Sequence, residues 1–385
     1  VGWKLNEESF LKGKGINTLK LRAGWGKTGN QELNDNDYAA SGSYNLSNGG
    51  AQYYLGDSFY QMYRPNIFNP NLTWEITTTK NVGLDYGFAK NRIFGSIDLF
   101  QKTADKLLVS GAPIAAGDVS NNNNLNVGVM DSKGIEGSIT VVPIKTEDTT
   151  LELSFNATHY DSTIKELSQG ADDSFFLTVG DIAGGVGNTI QAHAVGYQPY
   201  AFYVYQQVYD NAGKPLDGVF VDRNGDGKIN NSDKYYYKST QPDAILGFST
   251  KFSHKNWDAG FSARAVIGNY VYNNAASNSS LQSAATNEYL QNVYSTAVNN
   301  QFATPQYFSD LFIENASFFR LDNVNLGYTF RDVLSTGSSL RVYGMAQNVL
   351  VITKYTGVDP EVFGGIDNGY YQMPRVYSLG LNFNF

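Results

Sequence analysis

The sequence has no cysteine, only three histidines, and no apolar run near the roughly 18 residues that a membrane helix needs. The missing cysteine excludes disulfide scaffolds, thiolate zinc sites and thiol catalysis. The missing apolar run, with a mean hydropathy of −0.33, excludes a helical membrane protein. Charge is scarce too: 17% of residues, against about 25% in an ordinary soluble domain. The 28 basic residues never cluster and are outnumbered by 36 acidic ones, giving a net charge of −8 that argues against a nucleic-acid surface. In place of charge stand 27 Tyr, 23 Phe and 39 Gly, with abundant Asn. A length of 385 residues suits two or three soluble domains or one large β architecture. The chain opens at Val1 with no initiator methionine or signal peptide, and is expected to be a processed or partial chain.

The strongest positive signal is period-two alternation, the mark of a strand with two unlike faces. Ten segments show it. The last reads Tyr377, Leu379, Leu381, Phe383, Phe385 at odd positions, with Ser378, Gly380, Asn382 and Asn384 between. Another places Val324, Leu326, Tyr328 and Phe330 on one face and Asn323, Asn325, Gly327 and Thr329 on the other. The rest centre on Leu21, Leu84, Ile97, Ile135, Leu153, Phe248, Phe261 and Val342. The opposite face carries Lys20, Arg22, Glu152 and Arg264, with Lys80 and Asp85 at its edges.

A soluble sandwich alternates in the same way, so the connections decide. Short links at Ala89-Lys90-Asn91-Arg92, Lys145–Thr149, His254–Trp257 and Asp332–Ser339 alternate with long ones at 27–76, 102–133, 161–243, 268–317 and 349–375. Loops that long are uncommon in compact soluble domains. The pattern predicts an all-β fold: an antiparallel up-and-down transmembrane barrel with short periplasmic turns and long extracellular loops. Trp74, Tyr160, Trp257, Tyr328 and Phe330 are expected in its interfacial girdles.

One loop carries chemistry. Asp222-Arg223-Asn224-Gly225-Asp226-Gly227-Lys228-Ile229-Asn230, followed by Asp233, keeps the EF-hand spacing. Asp222, Asn224, Asp226 and Asn230 supply oxygens at positions 1, 3, 5 and 9, the Lys228 carbonyl at 7 and Asp233 at 12. A structural Ca²⁺ is expected there, stiffening the 161–243 loop. Asp233 is shorter than the usual Glu and no flanking helices are evident, so a plain Asx turn is the alternative. Other candidates are weak. His159, His193 and His254 are widely spaced, and no HExxH or GxSxG arrangement occurs. Glu7-Glu8 and Asp172-Asp173 read as solvated charge, Ala183–Gly187 lacks nucleotide-fold context, and Asn121–Asn124 reads as an exposed loop tip. Catalytic residues are not expected. Tyr-rich stretches at Gln52–Tyr63, Tyr197–Tyr209 and Tyr370–Tyr371 suit sugar stacking, lid packing or partner contact alike.

Several stretches together resemble the SusC/RagA family of TonB-dependent transporters. They are Leu19–Gln31, Asn69–Phe88, Asp131–Ser138, Asp222–Asn230, Glu314–Phe330 and Leu340–Val362, in the family's order along the whole chain. The segment Val195–Gln206 departs mildly from the family's glycine-proline-rich approach to an aromatic run. The terminal Phe385, after Phe383, looks like the carboxy-terminal signal read by the barrel-insertion machinery. The resemblance implies that residues 1–385 are a carboxy-terminal portion, about ten strands, of a 22-stranded barrel with an amino-terminal plug. It implies import of oligosaccharide or peptide across the outer membrane of a Bacteroidetes-type bacterium, with a SusD-like lipoprotein lid and a TonB complex as partners. A soluble secreted glycan-binding β-domain and a passive ten-stranded pore are the alternatives.

Overall fold

The computed structural model describes residues 1–31, 41–42, 44–47, 50, 52–65, 69, 71–110, 124–168, 174–184, 187–286 and 292–385. The expectations for Asn121–Asn123, Asp172-Asp173 and Gly185-Val186 lie outside the described residues.

Eleven strands form one antiparallel sheet in which each pairs with its neighbours in sequence order. They are β1 (Gly2–Lys4), β2 (Ile16–Asn30), β3 (Glu75–Phe88), β4 (Ile93–Ser110), β5 (Asn124–Lys145), β6 (Thr149–Glu166), β7 (Ala244–His254), β8 (Trp257–Ile267), β9 (Phe318–Arg331), β10 (Ser339–Thr353) and β11 (Val376–Asn384). All ten expected strands are present; the three-residue β1 is the addition, too short to show a period.

Register aligns the apolar positions across the whole sheet. Leu21 lies opposite Leu84, Leu84 opposite Ile97, Leu99 opposite Ile135, and Ile139 opposite Phe155. Phe155 lies opposite Phe248, Phe261 opposite Val324, Tyr328 opposite Val342, and Val342 opposite Leu381. This face is uncovered: Leu99 is 54% exposed, Leu326 52% and Leu381 70%. An apolar surface of that extent suits the lipid-facing band of a membrane barrel. Near the short turns, Trp257, Tyr328 and Phe330 stack edge to face at ring separations of 4.8 Å, forming one girdle. Two expectations are corrected. Lys80 falls on the apolar-face parity with Val82, and Tyr160 falls on the opposite face, pairing with Gly134.

The second face is polar and tied by charge. Arg22 pairs with Asp85 on β3 at 2.8 Å and reaches across β3 to Asp98 on β4 at 2.9 Å, and Arg341 reaches across β9 to Asp258. In both cases the residue crossed on the middle strand is a glycine, Gly83 or Gly327, where a Cβ would collide with the ion pair. Such inward pairs suit a water-filled lumen.

The four short turns gather at one end of the sheet and the long connections at the other. The 102–133 expectation is corrected, because β4 runs on to Ser110 and β5 begins at Asn124. Irregular register between Ala104 and Leu108 breaks the alternation, so the sequence pattern stops there while the ladder continues. Beyond it Val109 and Val127 bury against Ile164 and Leu167. The 161–243 segment likewise begins as strand, to Glu166, and then folds. Four strands, Phe176–Asp181, Thr189–Ala194, Ala201–Val204 and Tyr235–Ser239, make a small antiparallel sheet. Segments 268–317 and 354–375 add three short helices and a three-stranded sheet. Together these connections close over one core in which Ile190, Phe202, Val204, Tyr272 and Phe302 are fully buried. The loop end is thus a folded cap.

Candidate functional site

The cap is fastened to the wall by buried polar contacts. Arg320, on β9 and only 2% exposed, pairs with Asp359 at 2.6 Å and donates to Asn348 Oδ1 at 2.7 Å. Its Nε lies 3.5 Å from Glu361 Oε2, an ionic contact without a hydrogen bond. Arg264 on β8 grips the same Glu361 with two hydrogen bonds and also reaches Asp322. Asp359 and Glu361 belong to the 354–375 segment, so the charges lock that connection to the polar face. Tyr355 donates to Asp367 Oδ2 at 2.8 Å, and burial pushes its phenol far above the ordinary range. Tyr272, fully buried, donates to Ser277 Oγ at 2.8 Å. Asn273 caps the helix Asn274–Ser277 and donates to Glu314.

Between this cap and the polar side of β4, β5 and β6 lies a cavity of about 560 Å³, within the range of ligand sites. Aliphatic groups such as Leu107, Val109, Met130 and Ile164 line its wall side, and Leu177, His193, Tyr200 and Gln241 its cap side. The carboxylate of Glu75, at its edge, is held by the Leu108 N–H at 3.0 Å. Burial pushes the His193 imidazole below its ordinary range, so it is neutral at pH 7. The His193 ring stands edge-on to Tyr200 at 4.7 Å, and its Nε2 has no partner among the described residues. The lining mixes these aliphatic groups with Tyr160, Ser162, Glu166 and Thr240, and suits a ligand held by shape and apolar burial with a few polar contacts. None of these residues formed a motif in sequence. They come from separate strands and the cap, and only register brings them together.

The 222–233 loop lies on the cap, mostly exposed. Asp222 accepts the N–H groups of Gly225 and Gly227, both at 2.7 Å, as the EF-hand spacing requires of position 1. Asn224 accepts from the Asp226 N–H at 2.9 Å, and Asp226 from the Lys228 N–H at 2.8 Å. Both Gly225 and Gly227 have positive φ, 74° and 79°, which explains glycine at each. Asn230 and Asp233 form a capping box around the turn Asn231–Asp233. The Asp233 carboxylate is fully buried and clasps the Arg223, Asn224 and Asn230 N–H groups. Those donors, Asn230 foremost, hold it below the usual carboxylate range. Asp222 is half-buried and Asn224, Asp226, Lys228 and Asn230 are exposed, in contrast to the enclosed Asp233. Among the described residues no three His, Asp or Glu side chains gather as a metal cage. The loop is stapled to the cap by Lys234, whose ammonium lies 3.8 Å over the Phe308 ring; burial lowers its pKa to about 8.

No family model matches the chain. It is 43% identical over 397 aligned residues to the TonB-dependent receptor SusC of Bacteroides thetaiotaomicron, covering 100% of this chain and 39% of that receptor. It is 27% identical over 427 residues to the TonB-dependent receptor P3 of Formosa agariphila, covering 100% of this chain and 41% of the relative. The chain therefore spans about two-fifths of the length of these relatives. Among solved structures, the RagAB peptide transporter superposes with a TM-score of 0.75 at 23% identity, over 99% of this chain and 42% of that one. The RagAB peptide importer in its open-open state gives 0.78 at 22% identity, over 100% of this chain and 42% of that one. The fold is shared with both. With an apolar band on one face, ion pairs on the other and loops folded at one end, the chain belongs to the SusC/RagA-type TonB-dependent receptors of the outer membrane.

Proposed function

We propose that this chain is part of a TonB-dependent importer that carries an oligosaccharide or oligopeptide across the outer membrane, under a SusD-like surface lipoprotein. The observation that carries the reading is the 43% identity to SusC along the whole chain. The folded cap over a lumen-side cavity is consistent with it. Import is a conformational step powered through TonB, and no covalent step is assigned to these residues. The test is native mass spectrometry of the intact receptor extracted from outer membranes. A co-purified lipoprotein with bound oligosaccharide or peptide is the expected result. A receptor that carries neither, and whose loss leaves nutrient uptake unchanged, would overturn the reading.

A Ca²⁺ in the 222–233 loop is part of the proposal, held by Asp222, Asn224, Asp226 and the Lys228 carbonyl, with Asn230 and Asp233 shaping the loop around it. Asp226→Ala is expected to speed proteolysis within 161–243 in Ca²⁺ and to change nothing in chelator. Equal cleavage of wild type with and without chelator would make the motif a plain turn.

A further inference from the structure

We infer that the outward flank of the cap carries a second binding site, for a neutral sugar ring, separate from the lumen-side cavity. A cavity of about 430 Å³ lies between residues 196–201, 236–243 and 268–270. Its side of the wall follows from register. Gln198 donates to Asp161 Oδ1 at 2.9 Å, and the Asp243 carbonyl meets His159 Nδ1. His159 and Asp161 lie opposite Ile135 and Lys133, on the apolar-face parity of β6. The lumen-side cavity uses Tyr160 and Ser162, the alternate residues of the same strand. The two cavities therefore sit against alternate residues of one strand, with Gln241 lining both as the partition between them, and the second lies on the outward side.

Its lining has three parts. Tyr197 and Tyr236 pack at 4.0 Å as one aromatic wall, and Tyr270 forms another. Lys238 is the extra residue of a bulge between the strands Ala201–Val204 and Tyr235–Ser239, held at a φ of 50°. A lysine in the left-handed region is strained, and bulges re-aim side chains; this one sets the Lys238 ammonium 5.0 Å over the Tyr270 ring. The third part is the Asp243 carboxylate, packed against Gly268, where any Cβ would strike it. Among the described residues neither Lys238 nor Asp243 has an ion-pair partner, although both line this cavity.

That combination selects its occupant. Asp243 repels phosphate and carboxylate, Lys238 repels a cation, and two charged groups disfavour an apolar side chain. A pyranose satisfies all three parts: its C–H face stacks on tyrosine, and its hydroxyls both donate to a carboxylate and accept from an ammonium. The sugar can come from a soluble oligosaccharide or from the headgroup of an outer-leaflet glycolipid, which this flank would meet.

The test uses the intact receptor in a detergent without a sugar headgroup. Maltose is one probe, a neutral glucosyl glycolipid in mixed micelles the other, and inorganic phosphate the competitor. Binding of at least one sugar probe is expected, weakened about tenfold or more by Asp243→Asn and by Tyr197→Ala, as for loss of a hydrogen bond to a charged group or of an aromatic wall. Maltose binding with this dependence assigns a soluble source; binding of the neutral glycolipid alone assigns the glycolipid. Three results would overturn the site: neither probe binds, binding is unchanged in both variants, or phosphate displaces the probe. Both side chains lie outside the lumen-side cavity, so nutrient uptake is a separate readout.

Discussion

Arg320→Met is expected to unfasten the cap and destabilise the receptor by about 3–5 kcal/mol, the range for breaking one side of a buried ion pair. Arg320 is 2% exposed and Asp359 only 14% in side-chain terms, so water cannot take over the lost contact. Methionine fills the volume but leaves the Asp359 carboxylate short of its 2.6 Å partner. Glu361 keeps Arg264, so the loss falls mainly on Asp359. The natural control is Glu7→Gln, which removes an exposed pair with Lys4 (62% and 64% exposed) and should cost at most about 1 kcal/mol. The measurement is the heat-modifiable mobility of receptor extracted from outer membranes, with protease nicking within 354–375 as a local readout. Equal midpoints for the two variants would show that the cluster does not hold the cap.

The second large effect belongs to the membrane face. Leu326→Arg is expected to cost about 2–4 kcal/mol if it lies near the midplane, as lipid-facing arginines in barrels do, whereas Asn325→Ala should cost little. The two are adjacent on β9, but Leu326 faces Ala259 and Asn325 faces Gly260, on opposite sides of the sheet. Leu381→Arg on β11 belongs to the same row as Val342 and should behave like Leu326→Arg. Guanidinium titration of the purified receptor in lipid separates the cases. If Leu326→Arg and Asn325→Ala are equally mild, the apolar face does not contact lipid.

The wall strands were legible because alternation is local. Leu379, Leu381 and Phe383 announce a two-faced strand without reference to any other part of the chain. The pattern failed where the ladder became irregular: at Ala104–Leu108 the period slips while pairing continues, so a strand read as a loop. Tyr160 shows the complementary error. An aromatic residue near a strand end has girdle chemistry, but parity, not chemistry, decides which face it takes. In the 222–233 loop the spacing correctly announced the Asx and glycine turns, because those hydrogen bonds span five residues or fewer. It could not announce that the Asp233 carboxylate turns back to clasp the start of the loop.

By itself, the sequence determined the two-faced strands, the apolar parity and the strict exchange of short and long links, since each depends on neighbours a few residues apart. The tertiary structure alone decided how the long links fold into a cap, which acids meet Arg22 and Arg320, and where the two cavities open. Those contacts join residues such as Arg22 and Asp98, 76 positions apart, or Arg320 and Asp359, 39 apart. Their partners are set by strand register and by a shared core, and neither leaves a period in the chain.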